Sequence, residues 1–145
     1  MMAVRGAKKI INNYRLKVKA ISEQRTQTAV RAVLLEGSAM AATMVPMDTG
    51  HLLQSQYAPQ IITHTGKTVG HVGFTAEYAL WVHEMPGKLK GQPRADFGTT
   101  RAGEDFGGGS GRGFYWDPDA EPQFMAKGFD QINPMQILEA IYRVK

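Results

Sequence analysis

The amino-acid sequence predicts an α+β domain in which a long N-terminal helix packs on a small antiparallel sheet with short helices. Three observations predict this class. Gly37 is the only helix breaker between residues 7 and 44, residues 57–74 form two β-rich segments around a turn, and residues 87–113 hold nine of the sixteen glycines. The chain of 145 residues is long enough for one domain with a hydrophobic core, and without cysteine it has no disulfide framework.

The long helix is predicted from Ala7 to about Met44, because apolar or small residues recur there at alternating three- and four-residue steps. At ~1.5 Å per residue this helix is longer than the diameter of a small domain, so we expect its first half to lie against another subunit. A break at Gly37 into two helices is the alternative. The residues of the stripe, interrupted by Arg25, are Ile11, Tyr14, Val18, Ile21, Thr28, Ala32, Leu35, Ala39 and Ala42.

The segment after the long helix is predicted to turn and then to form a hairpin. Pro46 disfavours helix in the residue before it, and Asp48 or Thr49 is expected to cap a short helix through residue 55. Residues 57–63 and 68–74 are predicted to pair as antiparallel strands around a tight Thr-Gly-Lys connection. Pro59 lacks a backbone N–H, so we expect an edge or a bulge at its position.

A short helix over residues 76–85 follows, closed by Pro86 and Gly87. Tyr78, Trp81, Val82 and Met85 share one face of this helix, and we expect that face to dock on the sheet.

The last third of the chain divides into a loop and two helices. Residues 87–113 have almost no aliphatic side chains, so they are expected to form a flexible insert. Residues 114–116 are predicted to form a short strand, and helices are predicted over residues 123–132 and 134–143. The sequence thus predicts a single domain over 1–145, organised as long helix (1–45), capped turn, hairpin and short helix (46–86), insert (87–113) and C-terminal strand and helices (114–145).

The charge is uneven: residues 1–25 hold seven basic residues and one acid, within a net charge of +4. Such a stripe faces nucleic acid or an acidic partner, or it is simply a solvated helix face; the sequence leaves both open. No apolar run is long enough for a membrane helix, so no membrane contact is expected. The residues predicted to contact a partner or DNA are Arg5, Lys8, Lys9, Arg15, Lys17, Lys19, Arg94, Arg101 and Arg112.

Residue types that carry chemistry do not form a catalytic pattern. The four histidines have no ligand spacing, although His64 and His71 are placed to face each other across the hairpin. Asp117, Asp119 and Glu121 cluster, but the neighbouring prolines favour a turn. The glycine-rich segment lacks the phosphate-loop lysine pattern. We therefore expect no enzymatic activity, no metal and no cofactor; a small metal-dependent hydrolase is the enzymatic alternative.

Two segments carry a more specific signal. Residues 46–55 read Pro-x-Asp-Thr-Gly-x-Leu-x-x-Ser, and a Val-Gly strand then precedes Tyr-Ala-x-x-Val-His-Glu at residues 78–84. Pro-Gln-Phe-Met follows at residues 122–125. In this order the chain resembles the tail-completion or minor-capsid neck (head–tail joining) proteins of long-tailed double-stranded DNA bacteriophages. The resemblance covers about residues 1–132, but Met85-Pro86-Gly87 stands where family members often have Gly-Thr.

The motif residues have a physical interpretation that is structural rather than catalytic. Pro46 stops the first helix, Leu52 and Leu53 are expected to fill the core, and Tyr78, Trp81 and Val82 are expected to seal the sheet. The motif residues are Pro46, Asp48, Thr49, Gly50, Leu52, Ser55, Tyr78, Trp81, Val82 and His83.

The resemblance also implies a virion protein that forms a ring of six or twelve copies in the neck or at the top of the tail. The implied partners are other copies of the chain, neighbouring neck, portal-adaptor, tail-terminator or tail-tube proteins, and packaged DNA in the channel. The implied location is the virion, with the host cytoplasm during assembly. A small basic nucleic-acid-binding protein is the alternative function.

Overall fold

The computed structural model describes residues 6–47, 50–94, 98–99, 105–106 and 114–143. Helix α1 (Ala7–Ala42) is one unbroken element of 36 residues, so Gly37 does not divide it. The helix ends four residues before Pro46, and Thr43 bonds back to the carbonyl of Met40. No described helix is both long and apolar enough to cross a membrane.

The remaining elements confirm the predicted α+β class, since short helices and an antiparallel sheet follow the long helix. The sheet beside α1 has two strands, and the second strand pair lies within the predicted insert. In chain order the elements are α2 (His51–Gln54), β1 (Gln56–His64), β2 (Lys67–Phe74), α3 (Ala79–Glu84), β3 (Gly98–Thr99), β4 (Asp105–Phe106), α4 (Phe124–Asp130) and α5 (Pro134–Tyr142).

The hairpin β1–β2 forms as predicted, with a bulge at its proline. Ile62 pairs with Val69, and the register shifts between Tyr57 and Gln60, on either side of the buried Pro59. A proline cannot donate a ladder hydrogen bond, so the shift removes the need for one. Residues 114–116, predicted as a short strand, do not form one. They make two single β-bridges instead, Trp116 with Lys90 and Phe114 with Pro93.

The second half of α1 is the surface on which the other elements pack. The Gln27 side-chain amide donates to the Thr63 hydroxyl of β1 at 3.0 Å. The Tyr142 hydroxyl of α5 donates to the Thr26 hydroxyl at 2.7 Å. These two bonds tie the hairpin and the C-terminal helix to adjacent positions of α1, so the fold is built around residues 26–42.

Helix α4 approaches α1 at glycines. A Cβ atom at Gly128 would lie 2.5 Å from the backbone nitrogen of Ala41, and one at Gly37 would overlap the Phe129 ring. Backbone-to-backbone contact of this kind is open only to residues without a side chain at the crossing point. Helix α4 and α1 therefore come closest at the small residues Gly128 and Ala41.

The core lies where the end of α1 meets α2 and α4. Phe124 is 1% exposed, and its ring meets the Phe74 ring edge-on with centroids 5.5 Å apart. Leu52 is also buried, as predicted. Edge-to-face geometry places the positive ring edge against the negative ring face, which adds to the burial energy. The buried cluster comprises Met44, Val45, Leu52 and Phe124.

The residues of the predicted apolar stripe are not the ones that α1 buries against the rest of the chain. The residues of α1 that are buried are Ala29, Gly37, Ser38 and Ala41. Leu35 of the stripe is 51% exposed, and Ile21 is 53% exposed. Close packing selects small residues on α1 where α4 crosses it, whereas Val30 and Leu34 of α1 face Gly70 of the hairpin.

The predicted packing of α3 is also partly wrong. Ala79 and Val82 pack against the core, whereas Trp81 is 74% exposed and Met85 is 49% exposed. Six residues make fewer than two turns, and the helix begins three residues later than predicted, so the pattern did not fix which side faces inward. Trp81 therefore does not seal the sheet.

Two further expectations fall mainly outside the described residues. Asp48 and Thr49 lie outside them; the N-cap position of α2 is Gly50, with φ 80°. Most of the insert also lies outside them, but β3 and β4 pair antiparallel within it, with Gly98 opposite Phe106. Residues 87–94 are held against the segment after the insert, since the amide of Gly91 donates to the carbonyl of Trp116 at 2.9 Å.

The crossing of α1 and α4 predicts opposite residue preferences at two positions of one helix. Gly128→Ala should destabilise the protein by about 1–3 kcal/mol, because the added methyl meets backbone that must shift. Ala126→Gly, at an exposed position of α4, should destabilise by about 1 kcal/mol through helix propensity alone. Urea unfolding measures both free energies. Stabilisation by Gly128→Ala would contradict the close approach.

Candidate functional site

The motif residues after α1 border a cavity of about 650 Å³. Pro46, Gly50 and Leu52 line one side of it, Val82 adds the α3 side, and Trp116 lies among the lining residues beyond the insert. The lining is largely apolar, and Met47 anchors its rim because its amide donates to the Asp117 carboxylate at 2.8 Å. The structure thus brings together two motif segments, residues 46–55 and 78–84, that are separated in the sequence.

Ser55 joins the two ends of the hairpin. Its hydroxyl donates to the Leu52 carbonyl at 2.7 Å. Its own carbonyl accepts from the Thr75 amide at 2.9 Å and from the Thr75 hydroxyl at 3.2 Å. Since Thr75 directly follows β2, Ser55 holds the entry and the exit of the hairpin together, which is a structural role.

His83 joins α3 to the chain that enters α4. Its carbonyl accepts from the Gln123 amide at 2.9 Å, and its ring meets the Phe124 ring edge-on with centroids 5.0 Å apart. Its Nδ1 atom lies 2.9 Å from a Glu84 oxygen. The buried Nε2 atom has no hydrogen-bond partner among the described residues. The ring of this histidine therefore packs on the core at Phe124, with about a fifth of the side chain exposed (20%).

The acidic turn is occupied by structural contacts. Asp117 accepts from the Asp119 amide at 2.9 Å, which is a turn bond, and also from the distant Met47 amide. Glu121 accepts from Lys90 at 2.6 Å and from Lys127 at 2.8 Å. The hydrogen bond from Lys127, followed by that from Lys90, lowers the pKa of Glu121 from 4.5 to about 2. Glu121 thereby links residues 87–94 to α4.

The predicted pairing of His64 with His71 is wrong, because the register places other residues opposite them. His64 pairs with Lys67, and His71 pairs with Gln60, whose side-chain oxygen lies 3.0 Å from His71 Nε2. Within the described part of the chain, no three His, Asp or Glu side chains come close enough to hold a metal ion.

The first half of α1 is an exposed arm. Every residue from 8 to 22 is exposed, and we call residues 8–22 the N-terminal arm. At ~1.5 Å per residue it is about 22 Å long. Lys19 lies 3.9 Å from Glu23, at the base of the arm. Large apolar side chains that are exposed on the arm are Ile10, Ile11, Tyr14, Leu16, Val18 and Ile21.

The predicted contact residues fall into separate groups. Five of them lie on the N-terminal arm, namely Lys8, Lys9, Arg15, Lys17 and Lys19. Arg94 instead lines the cavity. Arg5, Arg101 and Arg112 lie outside the described residues.

A second exposed surface was missed at the sequence level. Leu80 is 69% exposed and Trp81 is 74% exposed on the outer side of α3, with Met85 beyond them. Glu77 and Glu84 are exposed beside them. The sequence signal that could have revealed this exposed surface is the pair of acids, Glu77 and Glu84, on either side of the apolar residues of α3. We call the surface formed by Glu77, Leu80, Trp81, Glu84 and Met85 the α3 patch.

The lowered pKa of Glu121 predicts a stability change in acid. The folded form has the lower pKa, so the stabilisation is fully present above about pH 4.5 and is lost as the pH falls towards about 2. The melting temperature of Glu121→Gln should therefore lie below that of the wild type at neutral pH, and the difference should shrink on acidification. Glu139→Gln, at an exposed site of α5, is the control. A difference that stays constant with pH would contradict the ion pairs.

Comparison with known proteins adds no relative: no family model, no curated protein and no solved structure matches the chain. The functional assignment therefore depends on the residues and surfaces described above.

Proposed function

We propose that this protein is a non-enzymatic structural subunit of a tailed-phage virion. In this proposal it forms a ring of six or twelve copies in the neck or at the top of the tail and acts in tail completion and head–tail joining. Its partners are other copies of itself and adjoining portal-adaptor, neck, tail-terminator or tail-tube proteins. It reaches the virion from the host cytoplasm, where assembly takes place.

The observation that carries the proposal is the exposed N-terminal arm. Ile10 is 70% exposed, Tyr14 is 69% exposed and Leu16 is 66% exposed, on one continuous helix. Large apolar surfaces that face water on a monomer mark contacts with another protein. A subunit of an assembly has such surfaces because its partners bury them.

The contacts of the motif residues support a structural rather than a catalytic role. Leu52 is buried in the core, Ser55 closes the hairpin, and His83 packs on Phe124. In the acidic turn, Asp117 accepts a hydrogen bond from the Met47 amide, and Glu121 is paired with Lys90 and Lys127. These three motif side chains thus stabilise the fold that presents the arm, whereas Trp81 of the motif is exposed.

Imaging of virions tests the proposal. Cryo-electron microscopy of the particle should place this chain in a ring between the portal and the tail tube, and mass spectrometry should detect it in purified virions. Tails without heads, analysed separately, show on which side of the joint the ring remains. A chain found in infected cells but missing from purified virions would overturn the proposal.

The five exposed basic residues of the arm favour a second function, non-specific nucleic-acid binding. Duplex DNA affinity should then fall steeply with salt, and Arg15→Gln, Lys17→Gln and Lys19→Gln together should flatten the slope of log K against log salt by roughly 3. Arg31→Gln, Lys67→Gln and Lys88→Gln, three exposed sites outside the arm, form the matched control. Equal slopes in both triple variants would exclude the arm as a DNA site.

A further inference from the structure

The exposed apolar residues of the N-terminal arm lie mainly on one side of α1. At about 100° per residue, Ile10, Ile11, Tyr14, Val18 and Ile21 fall within roughly 100° of one another around the helix. Their exposed fractions range from 47% to 70%.

Basic residues lie along both edges of this apolar strip. Arg15, Lys8 and Lys19 lie along one edge, and Lys17 lies along the other. The arm therefore presents an apolar strip between positive borders.

The α3 patch has the opposite charge at its border. Leu80 and Trp81 project from the outer side of α3, and the exposed carboxylates of Glu77 and Glu84 stand beside them. Between Lys67 and Lys88 the sequence contains no lysine or arginine. Glu77 and Glu84 therefore give the apolar surface a negative border, whereas Arg94 lines the cavity to which Met85 belongs.

We propose that the N-terminal arm of one copy docks on the α3 patch of the next copy. Apolar side chains meet apolar side chains, and the basic borders of the arm meet the two carboxylates, so both the hydrophobic and the Coulomb contributions favour the contact. Two arms side by side would bring lysines and arginines together, and two patches would bring carboxylates together. Charge complementarity thus selects the unlike pair.

The two surfaces are different parts of one chain, so the contact is head-to-tail. A head-to-tail contact repeats from copy to copy and closes into a ring when the rotation between copies divides a full turn. This inference rests on the proposed ring-forming function and identifies which surfaces of the subunit make the ring. The occupant of the α3 patch is a second copy of this chain.

The absence of cysteine from the sequence makes cross-linking specific. Chains with Val18→Cys alone and with Leu80→Cys alone should give a covalent dimer with a short bismaleimide only when the two are mixed. The double variant should give a ladder that ends at the ring. Dimers from Val18→Cys alone, at the yield of the mixture, would show arm-to-arm contact and overturn the inference.

Charge exchange provides an independent test on the full chain. Glu77→Lys with Glu84→Lys should raise the protein concentration needed for assembly by about tenfold, equivalent to about 1.4 kcal/mol. Adding Arg15→Glu and Lys17→Glu should restore assembly. Glu36→Lys with Glu139→Lys, two exposed acids elsewhere, should leave assembly unchanged, and circular dichroism verifies that each variant folds. If the variant with all four substitutions does not recover assembly, the proposed contact is overturned.

The two proposals fail in different ways. A ring that is detected by native mass spectrometry but never cross-links between Val18→Cys and Leu80→Cys overturns the arm-to-patch contact and leaves the structural role intact. A purified chain that stays monomeric at every concentration also overturns the contact. Only a chain that is missing from virions overturns the proposed function.

Discussion

The fold depends on how closely other elements approach the second half of α1. Gly128 meets the backbone at Ala41, and Gly70 of the hairpin leaves space for Val30 and Leu34 of the same helix. A side chain at either glycine would push its element outward. Because the hairpin and α4 both pack closely on α1, these two contacts fix where the core and the motif segments lie.

Much of the fold follows from local sequence signals. The length of α1, the hairpin with its bulge at Pro59, and α5 beginning at Pro134 all follow from propensity, turn residues and proline chemistry. The buried side of α1 does not follow in this way. Periodicity finds the largest apolar residues, such as Ile21 and Leu35, whereas the buried positions are selected by how near a distant segment approaches, which a single helix does not encode.

The candidate site was predictable only in part, for a related reason. Leu52 was placed in the core correctly, as part of the motif at residues 46–55. The inward side of α3 was wrong, since six residues give too few turns to define a face. The pairing of Glu121 with Lys90 and Lys127 joins segments that are 31 and 6 residues apart, and only the folded chain reveals the longer of these contacts.

The continuity of α1 has a mechanical consequence. One helix runs from the exposed arm into the core without a break. Its second half is hydrogen-bonded to β1 through Gln27 and to α5 through Thr26. A helix with unbroken backbone hydrogen bonds bends little over this length, so a rotation of the arm is transmitted to the rest of the protein. A partner that holds the arm therefore also sets the orientation of the rest of the protein, and a small tilt of the arm becomes a larger displacement at the other end of α1.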